Sequence, residues 1–260
     1  MNFFSPYKAT SIIEFWRRWH ITLSRFLRDY LYIGLGGNQR GAARRYINLM
    51  VTMLLGGLWH GASWTFVLWG GLHGLYLMIN HAWLAICARS ATLGAFRQTR
   101  FSSGLGFIMT FIAVLIGWVL FRAPNLDTAL NILAGMIGRH GAVLPTGLAF
   151  ALEPIGGFVA AVGIRFADSS GARLIDTYLW VSALLGIAFL GPNTQELLVR
   201  YGPVLELADR RRLAVTNVAG KQMFNLKWKP SLGWAIAAGA LAFLGIISIT
   251  RVSEFLYWQF

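Results

Sequence analysis

Residues 44–89 read RRYINLMVTMLLGGLWHGASWTFVLWGGLHGLYLMINHAWLAICAR, and between Arg45 and Arg89 there are 43 residues without one Asp, Glu, Lys or Arg. A helix of about 20 apolar residues crosses a bilayer, so this run predicts two membrane passes, or one pass and a re-entrant piece. Three histidines lie inside it: His60, His73 and His81. Polar groups at membrane depth are costly and usually functional, which makes His60, in Leu58-Trp59-His60-Gly61, the first candidate for chemistry. Gly56-Gly57 and Gly70-Gly71 each precede a histidine, and paired small residues let helix backbones approach closely in lipid or break where they line a cavity. Trp64 stands four residues after His60, so a continuous helix places both on one face.

Composition agrees with a membrane class. The chain is 56% hydrophobic and 13% charged, and its mean hydropathy of +0.56 is too apolar for an ordinary soluble domain of this length. The net charge of +13 comes from Arg and Lys that flank apolar runs, which suits interfacial anchoring and argues against nucleic acid as a partner. Eleven Trp and eighteen Phe fit rings placed at lipid headgroups. A single cysteine, Cys87, excludes an internal disulfide and a cysteine-built metal site. No metal site is expected, because His73 and His81 have no ligand set at metal spacing; helix packing is their better reading. Residues 2–7 lack the long apolar core of a cleavable signal peptide.

Working outward, Ser11 to Tyr32 has helical periodicity. Glu14, Arg17, Arg18, Arg25, Arg28 and Asp29 fall on one side of the wheel. Phe15, Trp16, Trp19, Leu23, Phe26, Leu27 and Tyr30 fall on the other. Such a pattern predicts an amphipathic helix lying in the membrane interface, with His20 at the edge of its apolar side. Toward the C-terminus, Leu105–Phe121 is a spanning candidate and Leu126–Ile137 a shorter interfacial helix. Thr146–Ile164 is an apolar pass interrupted by Glu153-Pro154, and Asp176–Leu190 is a short span. Arg200–Lys229 is a basic loop placed in the cytoplasm by the positive-inside rule. Trp234–Thr250 is the last span, with Phe255, Tyr257 and Trp258 as an outer aromatic belt. The expected fold is all-α: one membrane domain over 1–260, a polytopic transmembrane helical bundle with an N-terminal amphipathic helix. Its motif region is 1–88 and further helices occupy 89–260.

Two segments carry a family likeness. NFFSPYKATSIIEFWRRWHITLSRFLRDYLYIGLGGNQRG (2–41) and RRYINLMVTMLLGGLWHGASWTFVLWGGLHGLYL (44–77) closely resemble the membrane-bound O-acyltransferase family, in its bacterial polysaccharide branch of the alginate type. The likeness continues in diluted form through FRAPNLDTAL (121–130), GPNTQELL (191–198) and EFLYWQF (254–260). One departure is Gly34, where the family pattern has proline. The resemblance implies that His60 is the catalytic histidine of the WHG segment and that His20, from FWRRWH, stands near the same reaction centre. It implies an O-acetyltransferase of the bacterial inner membrane, with no bound cofactor and acetyl-coenzyme A as donor substrate. The acceptor is a polysaccharide hydroxyl or a periplasmic acetyl-relay protein, and membrane lipid surrounds the chain. The chain corresponds to the C-terminal part of the family's usual length, so the missing N-terminal half is an expected partner if it is separately encoded.

The chemistry needs an imidazole. Moving an acyl group from a thioester to an alcohol requires the alcohol proton to be removed as its oxygen attacks, and a group with an ordinary pKa near ~6.5 accepts it at neutral pH. Uncharged surroundings favour the neutral, proton-accepting form of His60. A histidine that merely bonds a neighbouring helix is the competing reading. Asn48, Trp59 and Trp64 are candidate substrate-binding residues, with polar or aromatic packing as their alternatives. Two other functions stay open on sequence: an inactive fragment of a truncated or split acyltransferase, and a small proton-coupled transporter. The second calls for paired acids within spans, and only Glu153 offers one.

Overall fold

The computed structural model describes residues 2–39, 41–161, 163–167, 171–198, 201 and 227–248. It falls into two units, Met1–Leu190 and Gly191–Phe260. In the first unit the segment expected as one interfacial helix is broken into three pieces. Helix α1 spans Ile12–Arg18, with the Ser11 side chain accepting from the Glu14 N–H at its start. The chain then extends at Trp19 and turns left-handed at His20 before α2, Ile21–Phe26. A π-helical turn, Leu27–Tyr32, follows. The wheel is corrected at two charges: Glu14 and Arg18 are buried beside Phe15. Arg18 Nη2 lies 2.6 Å from Glu14 Oε1, and Glu14 Oε2 accepts from Thr10 N and Oγ1, both at 2.9 Å. Mutual neutralisation and these extra hydrogen bonds offset the desolvation that should have kept both charges outside.

The charge-free run forms a helical hairpin, α3 (Gly41–Trp59) and α4 (Trp64–Arg89). Its glycines set how close the two helices come. A Cβ on Gly57 would collide with the Phe66 carbonyl, and one on Gly70 with the Met53 carbonyl. Gly74 faces the Met50 sulfur, which would lie 2.9 Å from such a Cβ. Asn80 Oδ1 of α4 accepts from Ile13 N of α1 at 3.3 Å. Phe15, Met53, Leu77 and Val114 share one buried core, so α1 sits against the hairpin.

Helices α5 (Ala91–Arg97), α6 (Arg100–Arg122) and α7 (Leu126–Met136) follow, capped by Ser90, Thr99 and Asn125. Among the described residues α6 alone is both long and apolar enough to cross a membrane, and only 22% of its most apolar window is buried. The low burial separates it from the core helix of a soluble protein, which hides its apolar side chains. Helices α3 and α4 have the length, but His, Asn, Gly, Trp and Tyr dilute their hydropathy.

The expected pass at 146–164 does not form. Pro154 lacks the N–H that a continuous helix needs, and the segment divides into short helical turns, including α8 (Ala149–Leu152) and α9 (Gly156–Ala161). These turns lie between two strands, β1 (Ala142–Pro145) and β2 (Ile164–Ala167), paired in parallel with Ala142 opposite Ile164 and Pro145 opposite Ala167. The fold is therefore mostly helical but not all-α. Helix α10 spans Gly171–Leu190. In the second unit, α11 (Thr194–Leu197) starts with a reciprocal Asn193–Glu196 capping box. The apolar α12 covers Leu232–Ser248. Of the basic loop, residues 200 and 202–226 lie outside the described residues, as do Phe255, Tyr257 and Trp258 of the expected aromatic belt.

Candidate functional site: a histidine at the hairpin turn

Helix α3 stops at Trp59, and His60 begins the turn into α4. The His60 N–H donates to Gly57 O at 3.0 Å, and the Gly61 N–H donates to Leu58 O at 3.1 Å. Ser63 then opens α4 by accepting from Thr65 N. The helix is thus not continuous from His60 to Trp64, and no shared helical face joins the two.

His60 is 7% exposed, and its ring is walled by rings from three elements. Trp59 lies 5.0 Å away between centroids, Trp69 5.4 Å, Phe66 6.2 Å and Phe121 of α6 5.0 Å. These contacts are mostly edge-to-face, the arrangement that aromatic quadrupoles favour. His20 approaches from the start of α2: its ring is 6.5 Å from Trp59. Trp59 thus touches both expected catalytic histidines, and it is itself 61% exposed.

His20 occupies the N-cap position of α2 with φ 44° and ψ 54°. That left-handed conformation costs a residue with a Cβ roughly 1–2 kcal/mol, and such costs collect at functional sites. Its side chain makes no cap hydrogen bond, and Nδ1 is enclosed without one. Burial pulls the His20 imidazole below its ordinary pKa.

The remaining expected residues lie elsewhere. Asn48 is buried on α3, twelve positions before His60 and so about 18 Å away along the helix axis. Its Nδ2 donates to Leu35 O and Gly37 O, both at 3.1 Å, which pins the loop ahead of α3. Trp64 is 76% exposed at the start of α4. His73 is buried in α4 between Trp16 (5.3 Å) and Trp69 (5.0 Å), with Phe15 stacked at 6.1 Å. Gly117 of α6 makes room for it: a Cβ there would stand 2.6 Å from His73 Nε2. Sequence reasoning missed Phe66, Trp69 and Phe121 as the wall of His60. Trp69 and Phe66 were findable from helical spacing after the turn, whereas Phe121 comes from a distant segment.

Comparison with known proteins matches residues 1–122 to the model of MBOAT, the membrane-bound O-acyltransferase family. Residues 1–122 form a membrane-bound O-acyltransferase family domain. It holds His20, Trp59 and His60, and it ends at the helix that contributes Phe121. A probable alginate O-acetylase of Azotobacter vinelandii is 52% identical over 135 residues, covering 52% of this chain and 25% of that protein. A peptidoglycan O-acetyltransferase of Helicobacter pylori is 48% identical over 146 residues, 55% of this chain and 26% of the relative. A teichoic acid D-alanyltransferase of Streptococcus thermophilus is 30% identical over 138 residues, 46% of this chain and 32% of the relative. The matched part of this chain thus spans about a quarter to a third of the length of these relatives.

Proposed function

We propose that the chain is the histidine-bearing part of a membrane O-acyltransferase. It moves an acetyl group from acetyl-coenzyme A toward hydroxyls of a cell-wall or exopolysaccharide, directly or through a periplasmic relay protein. The observation that carries this reading is His60 at a helix–helix turn, walled by rings and joined through Trp59 to a second histidine. His60 takes the proton of the attacking hydroxyl as its oxygen bonds to the acyl carbon. When the carbon–sulfur bond breaks, the imidazolium returns that proton to the departing thiolate. General acid–base action of this kind contributes about 10²–10⁴-fold in rate. His20 orients the acceptor or relays a proton, and Trp59 offers a flat apolar face beside both histidines. The setting is a multi-pass arrangement in the bacterial inner membrane. Its support is the exposed apolar surface of α6 together with the shorter apolar helices α7, α10 and α12.

The test is expression in a bacterium that lacks its own polysaccharide O-acetyltransferase and keeps the other export components. Polymer-bound acetyl is expected to appear with the wild-type chain and to fall by at least about 10²-fold with His60→Ala, while the variant still enters the membrane. Acetylation that persists in His60→Ala overturns the reading.

A further inference from the structure

The left-handed backbone at His20 leaves the first donors of α2 without the acceptor that an N-cap side chain normally supplies. The structure fills both from a single distant residue. Ile21 N–H donates to Asn2 O at 2.9 Å, and Thr22 N–H donates to Asn2 Oδ1 at 3.2 Å. Thr22 Oγ1 also donates to Asn2 Oδ1, at 2.8 Å. On the other side of the break, the Phe4 N–H donates to Arg18 O at 2.9 Å. Between these two anchors the Phe3 ring packs on Trp19 at 4.8 Å and on His20 at 5.9 Å. Residues 2–4 therefore bracket the break, bonded to Arg18 before it and to Ile21 and Thr22 after it.

We propose that Asn2-Phe3-Phe4 is a positioning strap, with Asn2 capping α2 in place of His20, so that the His20 imidazole is freed from capping and held against Trp59. The proposal rests on the acyltransferase reading for its catalytic consequence but not for its geometry. Were His20 its own cap, its ring would turn toward the first turn of α2 instead of toward Trp59. Capping from outside lets a reactive side chain occupy a helix start. Asn2 acts through His20 and is a positioning residue.

The test follows modification of each histidine by diethyl pyrocarbonate in the detergent-purified 260-residue chain, resolved by peptide mass spectrometry. Exposed His140 serves as internal reference. Asn2→Ala is expected to raise the His20 rate about fivefold, the population change that follows loss of one N-cap bond, with the His140 and His73 rates unchanged. Asn2→Asp keeps the accepting oxygen and restores the wild-type rate. An unchanged His20 rate in Asn2→Ala overturns the strap. So does a rise shared by buried His73, which would make Asn2 a residue of general stability.

In acetyl transfer, Asn2→Ala lowers kcat and leaves the KM for acetyl-coenzyme A unchanged, with rescue by Asn2→Asp. Should His60→Ala and His20→Ala leave transfer untouched, the acyltransferase reading fails, and the His20 modification rates still decide the strap.

Discussion

The stretch from α1 to α6 and the stretch from α7 to α10 contain similar proportions of glycine and apolar residue, yet they use them differently. In the first, Gly57, Gly70, Gly74, Gly106 and Gly117 each sit where a Cβ would strike a carbonyl, a sulfur or an imidazole. In the second, Gly138, Gly147, Gly156, Gly157, Gly163 and Gly186 have nothing within contact distance of such a Cβ, and Gly135 and Gly141 meet their nearest atoms only at 3.2 Å. The first stretch also buries an ion pair, an asparagine and two histidines. The lesson is that composition marks the solvent of a segment, whereas interlocking marks where function constrains its shape. The family match, which stops at residue 122, follows the interlocked stretch.

The contrast can be broken experimentally. The largest effect is expected at Arg18→Ala, which leaves Glu14 charged and buried; removing one partner of a buried pair costs about 3–5 kcal/mol. Thermal unfolding of the detergent-solubilised protein reads this loss, and the double change Glu14→Gln, Arg18→Met should recover most of it. A smaller loss, on the order of 1–3 kcal/mol, is expected for Gly70→Ala, because the new methyl meets backbone that cannot rotate away. Chemical denaturation curves would detect it, and an unchanged midpoint would mean that the hairpin is looser than the glycine contacts require. The smallest effect, with the opposite sign, belongs to Gly186→Ala in α10. Open surroundings and a helical backbone predict a gain of about 0.5–1 kcal/mol. Equal destabilisation at Gly70 and Gly186 would erase the distinction between the two stretches.

Much of the helical frame was legible because it depends on local pattern. The two helices α3 and α4 follow from the 43 uncharged residues, although the run divides at His60–Ser63 and not at its glycine pairs, which lie inside the helices; α6 and α7 fall where their apolar runs predict. What failed depends on distant partners. The break at Trp19–His20 is invisible to a helical wheel because its stabilising acceptor is Asn2. Glu14 and Arg18 read as a headgroup-facing side because a wheel scores each charge alone, whereas burial was decided by their pairing and by Thr10. Within the candidate site, His60 was marked by the cost of a polar group in an apolar run. Of its aromatic wall only Trp59 was, and Phe121 could not be, since it comes from another helix. For Asn48 the packing alternative is the one its bonds fit, since two loop carbonyls accept from its NH2 group.

The fit of His73 into the notch at Gly117 sets an axial scale for the molecule. Sliding α6 by one helical turn, about 5.4 Å, would bring Ala113 and Val114, or Leu120 and Phe121, against an imidazole that tolerates no side chain there. Helix α6 therefore has one allowed height relative to α4, and among the described residues α6 is the helix with the length and apolar character to span a bilayer. Since Phe121 of the same helix touches His60, any layer that sets the level of α6 would also set the depth of the candidate site, as a keyed shaft fixes the gear mounted on it.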